Sequence, residues 1–188
     1  MADDFLKYID NSWTLFLDRD GVINKRIYGG YVTSPDYFEF LPGVLESINF
    51  FSKIFNRIIV ITNQQGVGKG IMTELELNVV HDYMTSEIST FGGRVDAIYY
   101  CADLAQSEDN CRKPSIKMAQ KALKYFPEID LNKSIMIGDS ESDIEFGINA
   151  GMKTVLVSND TSQENLSTKA DLVVESLSGF EKLIKKYN

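Results

Sequence analysis

The fold prediction starts from one stretch, residues 15–23, which reads Leu15-Phe16-Leu17-Asp18-Arg19-Asp20-Gly21-Val22-Ile23. Its apolar run predicts a buried strand, and the strand is followed by two aspartates. Side chains at i and i+2 of an extended chain point the same way, so Asp18 and Asp20 should face one spot and Arg19 should face away. Two carboxylates this close repel each other unless a cation or a proton lies between them. Because Gly21 lets the backbone turn sharply, the stretch predicts a metal and nucleophile site at the end of a strand.

Strand-like and helix-like stretches alternate along the rest of the chain. Predicted strands cover Thr14–Asp18, Arg57–Thr62, Val95–Tyr100, Lys133–Gly138, Thr154–Val157 and Asp171–Val174. Predicted helices cover Gly43–Phe55, Thr73–Thr90, Pro114–Phe126, Ser142–Ala150 and Leu177–Lys186. A capping box should start the second helix at Thr73, Pro114 suits the first position of the third, and Gly151 should end the fourth. The alternation predicts one α/β domain over residues 1–188, with a mostly parallel sheet and helices on both faces. The Ser/Thr/Asn-rich stretch 158–168 predicts a surface loop.

Composition narrows the classes of partner. The 188 residues carry a net charge of −8, and the pI is about 4.7. This acidic net charge argues against a protein that binds nucleic acid or anionic membranes, which needs a basic face.

Two cysteines do not make a disulfide scaffold. The acidic N-terminus has no long apolar stretch behind it, and no stretch is apolar enough to span a membrane. We therefore expect a cytoplasmic monomer that acts on a small molecule.

Polar side chains follow several of the predicted strands. They are Asp18-x-Asp20, Thr62-Asn63-Gln64, Arg112-Lys113-Pro114 in the loop after strand three, and Gly138-Asp139 with Asp143 one helical turn further on. In parallel sheets ligands bind beyond the carboxyl ends of the strands. This inventory fits phosphoryl transfer, in which a carboxylate attacks phosphorus, Mg²⁺ offsets the repulsion, and Lys and Thr donors neutralise charge on the phosphoryl oxygens.

These segments resemble the haloacid dehalogenase (HAD) superfamily of phosphatases. Four motifs look like its heptose-bisphosphate and histidinol-phosphate phosphatase branch: Asp18-Arg-Asp-Gly-Val-Ile-Asn24, Gly30-Tyr31-Val32, Thr62-Asn-Gln-Gln-Gly66 and Cys111-Arg-Lys-Pro114. The resemblance implies a three-layer Rossmann-like fold with a minimal cap and a flap over about residues 22–42. It implies a Mg²⁺-dependent phosphomonoesterase acting on a small sugar phosphate. Heptose 1,7-bisphosphate, cleaved at the 7-phosphate, is the first expected substrate and histidinol phosphate is the alternative.

The resemblance also assigns roles to individual residues. Asp18 would be the nucleophile that becomes an aspartyl phosphate, and Asp20 would protonate the leaving oxygen and then activate water. Thr62 and Lys113 would bind the transferring phosphoryl group. Asp139 would complete the Mg²⁺ site with Asp18 and the main-chain carbonyl of Asp20, supported by Asp143. The expected substrate contacts are Asn63, Arg112, Gly30 and Tyr31.

The loop over about residues 101–112 departs from the branch. Relatives there usually carry Cys-x-His followed by Cys-x-Cys, four ligands that hold a zinc ion. The matching positions here are Cys101, Asp103, Asp109 and Cys111. Carboxylates do ligate zinc, so a Cys₂Asp₂ site is conceivable. Structural zinc sites mostly use thiolate and imidazole, however, and we expect a loop ordered by ordinary packing.

Two other functions share parts of this pattern. A phospho-aspartate receiver module has a similar sheet, but its acceptor aspartate should follow strand three, where Tyr99-Tyr100-Cys101 offers none. A nucleic-acid 3′-end phosphatase shares the motifs, but the acidic charge balance weighs against it.

His81, the only histidine, lies mid-helix and far in sequence from every site segment, so we do not expect it to be catalytic.

Overall fold

Parallel strands form the sheet at the centre of the fold. The computed structural model describes residues 4–158 and 169–187. The strands are β1 (Thr14–Leu17), β2 (Arg57–Asn63), β3 (Ala97–Cys101), β4 (Ser134–Gly138), β5 (Lys153–Val157) and β6 (Leu172–Val174). Their order is β3-β2-β1-β4-β5-β6, and every neighbouring pair is parallel. The loop predicted over 158–168 lies, from residue 159 onward, outside the described residues.

Helices cover both faces of this sheet. They are α1 (Val44–Phe51), α2 (Gln65–Gly68), α3 (Glu74–Thr90), α4 (Lys117–Tyr125), α5 (Glu141–Ala150) and α6 (Leu177–Tyr187). Buried residues of α1, α3 and α6 pack in one apolar cluster, and those of α4 and α5 pack in the other. The predicted three-layer α/β architecture is therefore confirmed. No helix within residues 4–158 and 169–187 is both long enough and apolar enough to cross a membrane.

The central strand β1 is buried on both sides. Leu15 and Leu17 belong to one apolar cluster, whereas Phe16 between them belongs to the other. All three side chains are fully buried. Burying each contributes roughly 1.5–3 kcal/mol, which ties β1 firmly between β2 and β4. The residues that directly follow Leu17 are thereby held at the middle of the sheet's carboxyl edge.

The structure corrects the predicted start of the third predicted helix, which is α4 (Lys117–Tyr125) in the structure. Pro114 is not at its first position, because α4 begins at Lys117 with Ile116 as its N-cap. The Lys113 backbone N–H donates to Asn63 Oδ1 at the sheet edge, at 3.0 Å. The chain therefore has to turn away from the sheet before a helix can begin, and the Ser115 N–H to Arg112 carbonyl bond closes that turn.

The flap over residues 22–42 is irregular, as its sequence suggests. Its two ends lie side by side, joined by an isolated antiparallel bridge between Asn24 and Phe40. The Leu41 N–H also donates to the Ile23 carbonyl, at 3.0 Å. Val32 is buried within the flap, so the segment is packed onto the domain rather than standing free of it.

The capping box predicted for α3 is present and gives a stability test. The Glu76 N–H donates to Thr73 Oγ1 at 3.1 Å, and the Thr73 N–H donates to Glu76 Oε2 at 2.7 Å. Thr73→Ala is expected to lower the free energy of unfolding by about 1 kcal/mol, measured by urea denaturation. Ser34→Ala is the matched control, because Ser34 begins a short helical turn without a side-chain cap. Equal losses in both variants would show that the box contributes nothing.

Candidate active site

A polar cavity of ≈ 440 Å³ opens at the carboxyl ends of the strands. The end of β1, the end of β2, the segment before α4 and the start of α5 all contribute to its wall. The flap supplies the remaining side. The predicted site residues that line it are Asp18, Asp20, Gly30, Tyr31, Thr62, Asn63, Arg112, Lys113 and Asp143. Sequence segments up to 125 residues apart, from Asp18 to Asp143, thus meet at one edge, which is the convergence that the parallel sheet predicts.

Lys113 is the buried cation of the site. Its Nζ lies 2.7 Å from Asp18 Oδ1 and 2.5 Å from Asp143 Oδ1, and it donates to the Ile61 carbonyl at 2.8 Å. The side chains of Lys113, Asp18 and Asp143 are all buried. Burial by itself would lower the pKa of Lys113, but the two carboxylates hold that pKa above its usual value. The lysine therefore stays charged, next to the carboxylate that the sequence singles out as nucleophile.

Three carboxylates form a cluster that suits a hard divalent cation. Oxygens of Asp18, Asp139 and Asp143 lie within 4.8 Å of one another. Asp139 Oδ1 is buried and has no hydrogen-bond partner among the described residues. A buried carboxylate oxygen without a partner is costly, and Mg²⁺ prefers carboxylate oxygens. The donor set therefore fits the predicted magnesium ion.

Gly21 keeps the space beside this cluster open. Its φ is +96°, and a Cβ at this position would lie 2.0 Å from Asp139 Oδ2. The turn after β1 thus needs a glycine at this position for two reasons: the positive φ of its backbone and the close approach of the Asp139 side chain. The same glycine that lets the chain turn away from β1 also lets Asp139 come close to the end of that strand.

Arg26 of the flap is a second cation at the cluster, and no motif in the sequence points to it. Its Nη1 lies 2.9 Å from Asp139 Oδ2, whereas Oδ1 is the oxygen without a partner among the described residues. The Arg26 side chain lines the cavity and is 42% exposed, so this cation is accessible to solvent. Burial by itself would lower the pKa of Arg26. The carboxylates of the site, of which Asp139 has the largest effect, raise that pKa above its usual value.

Burial and mutual repulsion raise the pKa of two of these acids. Burial is the main reason that the pKa of Asp18 rises to about 7; Lys113 opposes the rise, while Asp143 and Asp139 add to it. Burial likewise raises the pKa of Asp139 to about 6, against the charge of Arg26. These carboxyl groups hold a negative charge at this edge only with cationic help, which is a property of sites that bind cations.

Asp20 is held differently from Asp18. It accepts hydrogen bonds from Asn24 Nδ2 at 2.9 Å and from Gln64 Nε2 at 2.8 Å. Arg19 Nη2 donates to both of its oxygens, at 3.0 and 2.8 Å. Burial would raise the pKa of Asp20, but the Arg19 charge and these donors hold it below its usual value. The carboxylate of Asp20 is thus oriented by three neighbours: Arg19 and Asn24 from its own turn and Gln64 from the end of β2.

The expectation that Arg19 faces away from the aspartates is wrong. β1 ends at Leu17, so the alternation of an extended strand no longer governs Arg19 and Asp20. Arg19 is only 1% exposed, and its guanidinium turns back to Asp20. Pairing with a carboxylate is what allows an arginine to be buried this deeply.

The remaining predicted contacts also line the cavity. Thr62 is buried, and its Oγ1 accepts from Gln64 Nε2 at 2.9 Å. Asn63 Oδ1 accepts from the Lys113 backbone, so its side chain also holds the segment before α4 in place. Tyr31 of the flap packs on Gly66, where a Cβ would lie 2.9 Å from the Tyr31 ring. The flap is therefore seated directly on the turn that follows β2.

The structure does not bring the four zinc candidates together. Cys101 and Cys111 are joined by a disulfide, a pairing that the sequence analysis did not anticipate. Asp103 lies beside them, and its Oδ2 accepts from the Cys111 N–H at 2.9 Å. Asp109 lies apart, because its exposed carboxylate pairs with Lys117 at 2.6 Å. The disulfide and the Asp103 hydrogen bond, rather than a Cys₂Asp₂ set, connect the two ends of this loop.

Comparisons with known proteins agree with this arrangement. Residues 110–180 match the family model described as HAD-hydrolase-like. A protein of Campylobacter jejuni named D-glycero-alpha-D-manno-heptose-1,7-bisphosphate 7-phosphatase is 38% identical over 150 residues, covering 80% of this chain and 84% of that protein. The Escherichia coli protein named for the beta form is 32% identical over 181 residues, covering 92% and 93%. A similar solved structure is that of the D,D-heptose 1,7-bisphosphate phosphatase from B. bronchiseptica, which was complexed with magnesium and phosphate. It aligns with this chain with a TM-score of 0.84 and 29% sequence identity, and the alignment covers 94% of this chain and 99% of that one.

Proposed function

Because the chain belongs to the HAD-like hydrolase family, among its phosphoric monoester hydrolases, we propose that it removes the 7-phosphate of a D-glycero-D-manno-heptose 1,7-bisphosphate. The observation that carries this proposal is the pairing of buried Asp18 with Lys113 at the floor of the cavity. Relatives named for this reaction align over most of the chain. The proposed substrate is small, anionic and polar, which suits a cavity with arginine and lysine in its wall.

The proposed first step is an attack on phosphorus by Asp18. An Asp18 oxygen forms a bond to phosphorus while the bond to the sugar oxygen breaks. Asp20 has to enter this step protonated, although its pKa is low in the site without substrate, and it gives that proton to the departing oxygen. Lys113 and Thr62 stabilise the negative charge on the transferring phosphoryl oxygens. Asp20, now a carboxylate, then takes a proton from water, whose oxygen attacks phosphorus and releases inorganic phosphate. Asp18 is regenerated.

The proposed cofactor is Mg²⁺. Asp18 and Asp139, with the main-chain carbonyl of Asp20, would hold it, and Asp143 would support the site. When bound, the ion would offset the repulsion between the Asp18 carboxylate and the phosphate. Asp143 already has two partners, Lys113 and the hydroxyl of Ser140, so its contribution is to place Lys113 as much as to hold a cation.

The rim of the cavity supplies the proposed contacts to the sugar and its second phosphate. Arg112 and Asn63 line the cavity together with the flap residues Gly30 and Tyr31. Lys69 adds a further cation, 5.7 Å above the Tyr31 ring. Every group in this proposal comes from one chain, and we propose that the monomer is the active unit.

The experiment is a phosphate-release screen in the presence of Mg²⁺. It compares both anomers of heptose 1,7-bisphosphate, histidinol phosphate and several sugar monophosphates, with the product identified by phosphorus NMR. The expected result is selective loss of the 7-phosphate and the highest kcat/KM on one of the two anomers. Both anomers belong in the screen because relatives of each name align with this chain. Preference for histidinol phosphate, or release of the 1-phosphate, would contradict the proposal.

A further inference from the structure

The chain's only histidine lies next to the arginine that holds Asp20. His81 belongs to α3 and is 5% exposed. Its Nε2 lies 3.2 Å from Arg19 Nη1. An arginine can only donate hydrogen bonds, so Nε2 must be the acceptor and the ring must carry its proton on Nδ1. Burial, reinforced by the Arg19 charge, lowers the pKa of His81 to about 3, which keeps the ring neutral as this bond requires.

The Arg19 guanidinium transmits this contact to Asp20. Nη1 donates to His81 Nε2, whereas Nη2 donates to both carboxylate oxygens of Asp20. Arg19 Nε has no hydrogen-bond partner among the described residues, so His81 and Asp20 are the side chains that fix the guanidinium there. A guanidinium is planar and rigid, so an acceptor at one end sets the direction of the donor at the other.

The position of His81 explains how a site residue can be controlled from a helix outside the cavity. Asp20 lies at the cavity wall, whereas His81 does not line the cavity. The ring of His81 also lies 6.0 Å from that of Tyr100 on β3, which limits its movement within the core. The contact therefore joins a packed helix to the carboxylate that must meet the leaving oxygen.

We propose that His81 is a positioning residue for Asp20, acting through Arg19. The inference rests on the proposed function, in which Asp20 donates a proton to the departing sugar oxygen. Without an acceptor at residue 81, Arg19 Nη1 would be left buried and unpaired. The guanidinium would then turn to find another partner, and the Asp20 carboxyl would lose its alignment with the leaving oxygen. Small displacements of a proton donor reduce its contribution to the rate.

The test compares a substrate that needs a proton donor with one that does not. The departing oxygen of heptose 1,7-bisphosphate is an alkoxide unless it is protonated, whereas that of 4-nitrophenyl phosphate leaves readily as a stabilised anion. The comparison uses kcat/KM, because this constant covers only the steps up to departure of the leaving group. Hydrolysis of the aspartyl phosphate, which is common to both substrates, therefore does not enter.

His81→Leu is expected to lower kcat/KM on the sugar bisphosphate by about 10–100-fold and on the aryl phosphate by about threefold or less. His81→Gln keeps a hydrogen-bond acceptor, so it should recover most of the activity on the sugar bisphosphate. Met84→Leu, a buried apolar change on the same helix, is the matched control and should leave the ratio of the two constants unchanged. Thermal unfolding of each variant shows whether the fold is retained.

The possible outcomes separate the two proposals. An equal loss on both substrates, or no loss in His81→Leu, would overturn the positioning role while leaving the proposed function in place. A change in the ratio for His81→Gln as large as that for His81→Leu would also overturn it, because the acceptor would then be irrelevant. If the unsubstituted chain releases phosphate from neither substrate, the proposed function fails, and the inference fails with it.

Discussion

Asp18→Asn is expected to reduce phosphate release on the order of 10⁴-fold or more, while the protein keeps its fold. An amide oxygen is a poor nucleophile, so the first bond to phosphorus would not form. The fold should survive, because burial already makes a charge at Asp18 costly, raising its pKa to about 7. The Asn oxygen can still accept from Lys113 Nζ, which lies 2.7 Å from Asp18 Oδ1. We expect the free energy of unfolding to change by no more than about 1 kcal/mol.

A covalent-capture experiment separates the roles of Asp18 and Asp20. After brief reaction with radiolabelled phosphate ester and acid quenching, the unsubstituted chain should carry a label that hydroxylamine removes. Asp18→Asn should carry none. Asp20→Asn should be labelled by an aryl phosphate and should lose the label slowly, because the group that activates water is missing.

Asp36→Asn is a matched control, since Asp36 is an acid of the flap outside the cavity wall. It should show the activity and labelling of the unsubstituted chain. Labelling of Asp18→Asn to the normal extent would remove Asp18 from the nucleophile's role and would require another carboxylate in its place.

The parts of the site that the sequence could predict are those fixed by local patterns. The apolar run before Asp18 predicts a strand inside the sheet, because Leu15, Phe16 and Leu17 can all be buried only where helices cover both faces. Once the strands are parallel, the residues after each strand must meet at one edge. This edge brings Thr62 to the cavity that Asp18 lines. Lys113 lies well beyond the end of β3 at Cys101, and its role follows from the resemblance to the family.

The parts that could not be predicted depend on side chains that meet across long distances in sequence. Arg19 contacts His81, which is 62 residues away, and Arg26 contacts Asp139, which is 113 residues away. No spacing rule connects such pairs. Gln64 is a milder case, because it belongs to a motif in which the resemblance implies roles only for Thr62 and Asn63. Its amide in fact bridges Asp20 and Thr62.

The loop after β3 shows a different limit. The spacing of its cysteines and aspartates suggests a set of metal ligands, but it does not show which of these side chains bind one another. Cys101 and Cys111 are two of the four residues considered as zinc ligands, and the structure joins them to each other. Asp109 has a positive φ of 53° and turns outward to Lys117. A backbone conformation of this kind is not visible in the residue spacing.

Lys113→Met is the second substitution for which we expect a large effect, on stability as well as on activity. It removes the cation that lies between Asp18 and Asp143 and leaves two buried carboxyl groups without their common partner. Breaking a buried ion pair by removing one member costs about 3–5 kcal/mol, and we expect a loss of that size in urea unfolding with a chelator present. Lys117→Met is the matched control, since its pair with exposed Asp109 should contribute no more than about 0.5 kcal/mol.

The stability loss in Lys113→Met should also depend on pH. Lys113 opposes the rise in the pKa of Asp18, so without it that pKa should lie further above both its present value of about 7 and its value in the unfolded chain. A carboxyl group whose pKa is raised on folding stabilises the folded state below its unfolded pKa, and this contribution is lost as the pH rises through the folded pKa. The difference between the variant and the unsubstituted chain should therefore be larger at about pH 8 than at about pH 5. A loss that is the same at both pH values would show that the lost packing of the lysine side chain, rather than its charge, causes the destabilisation.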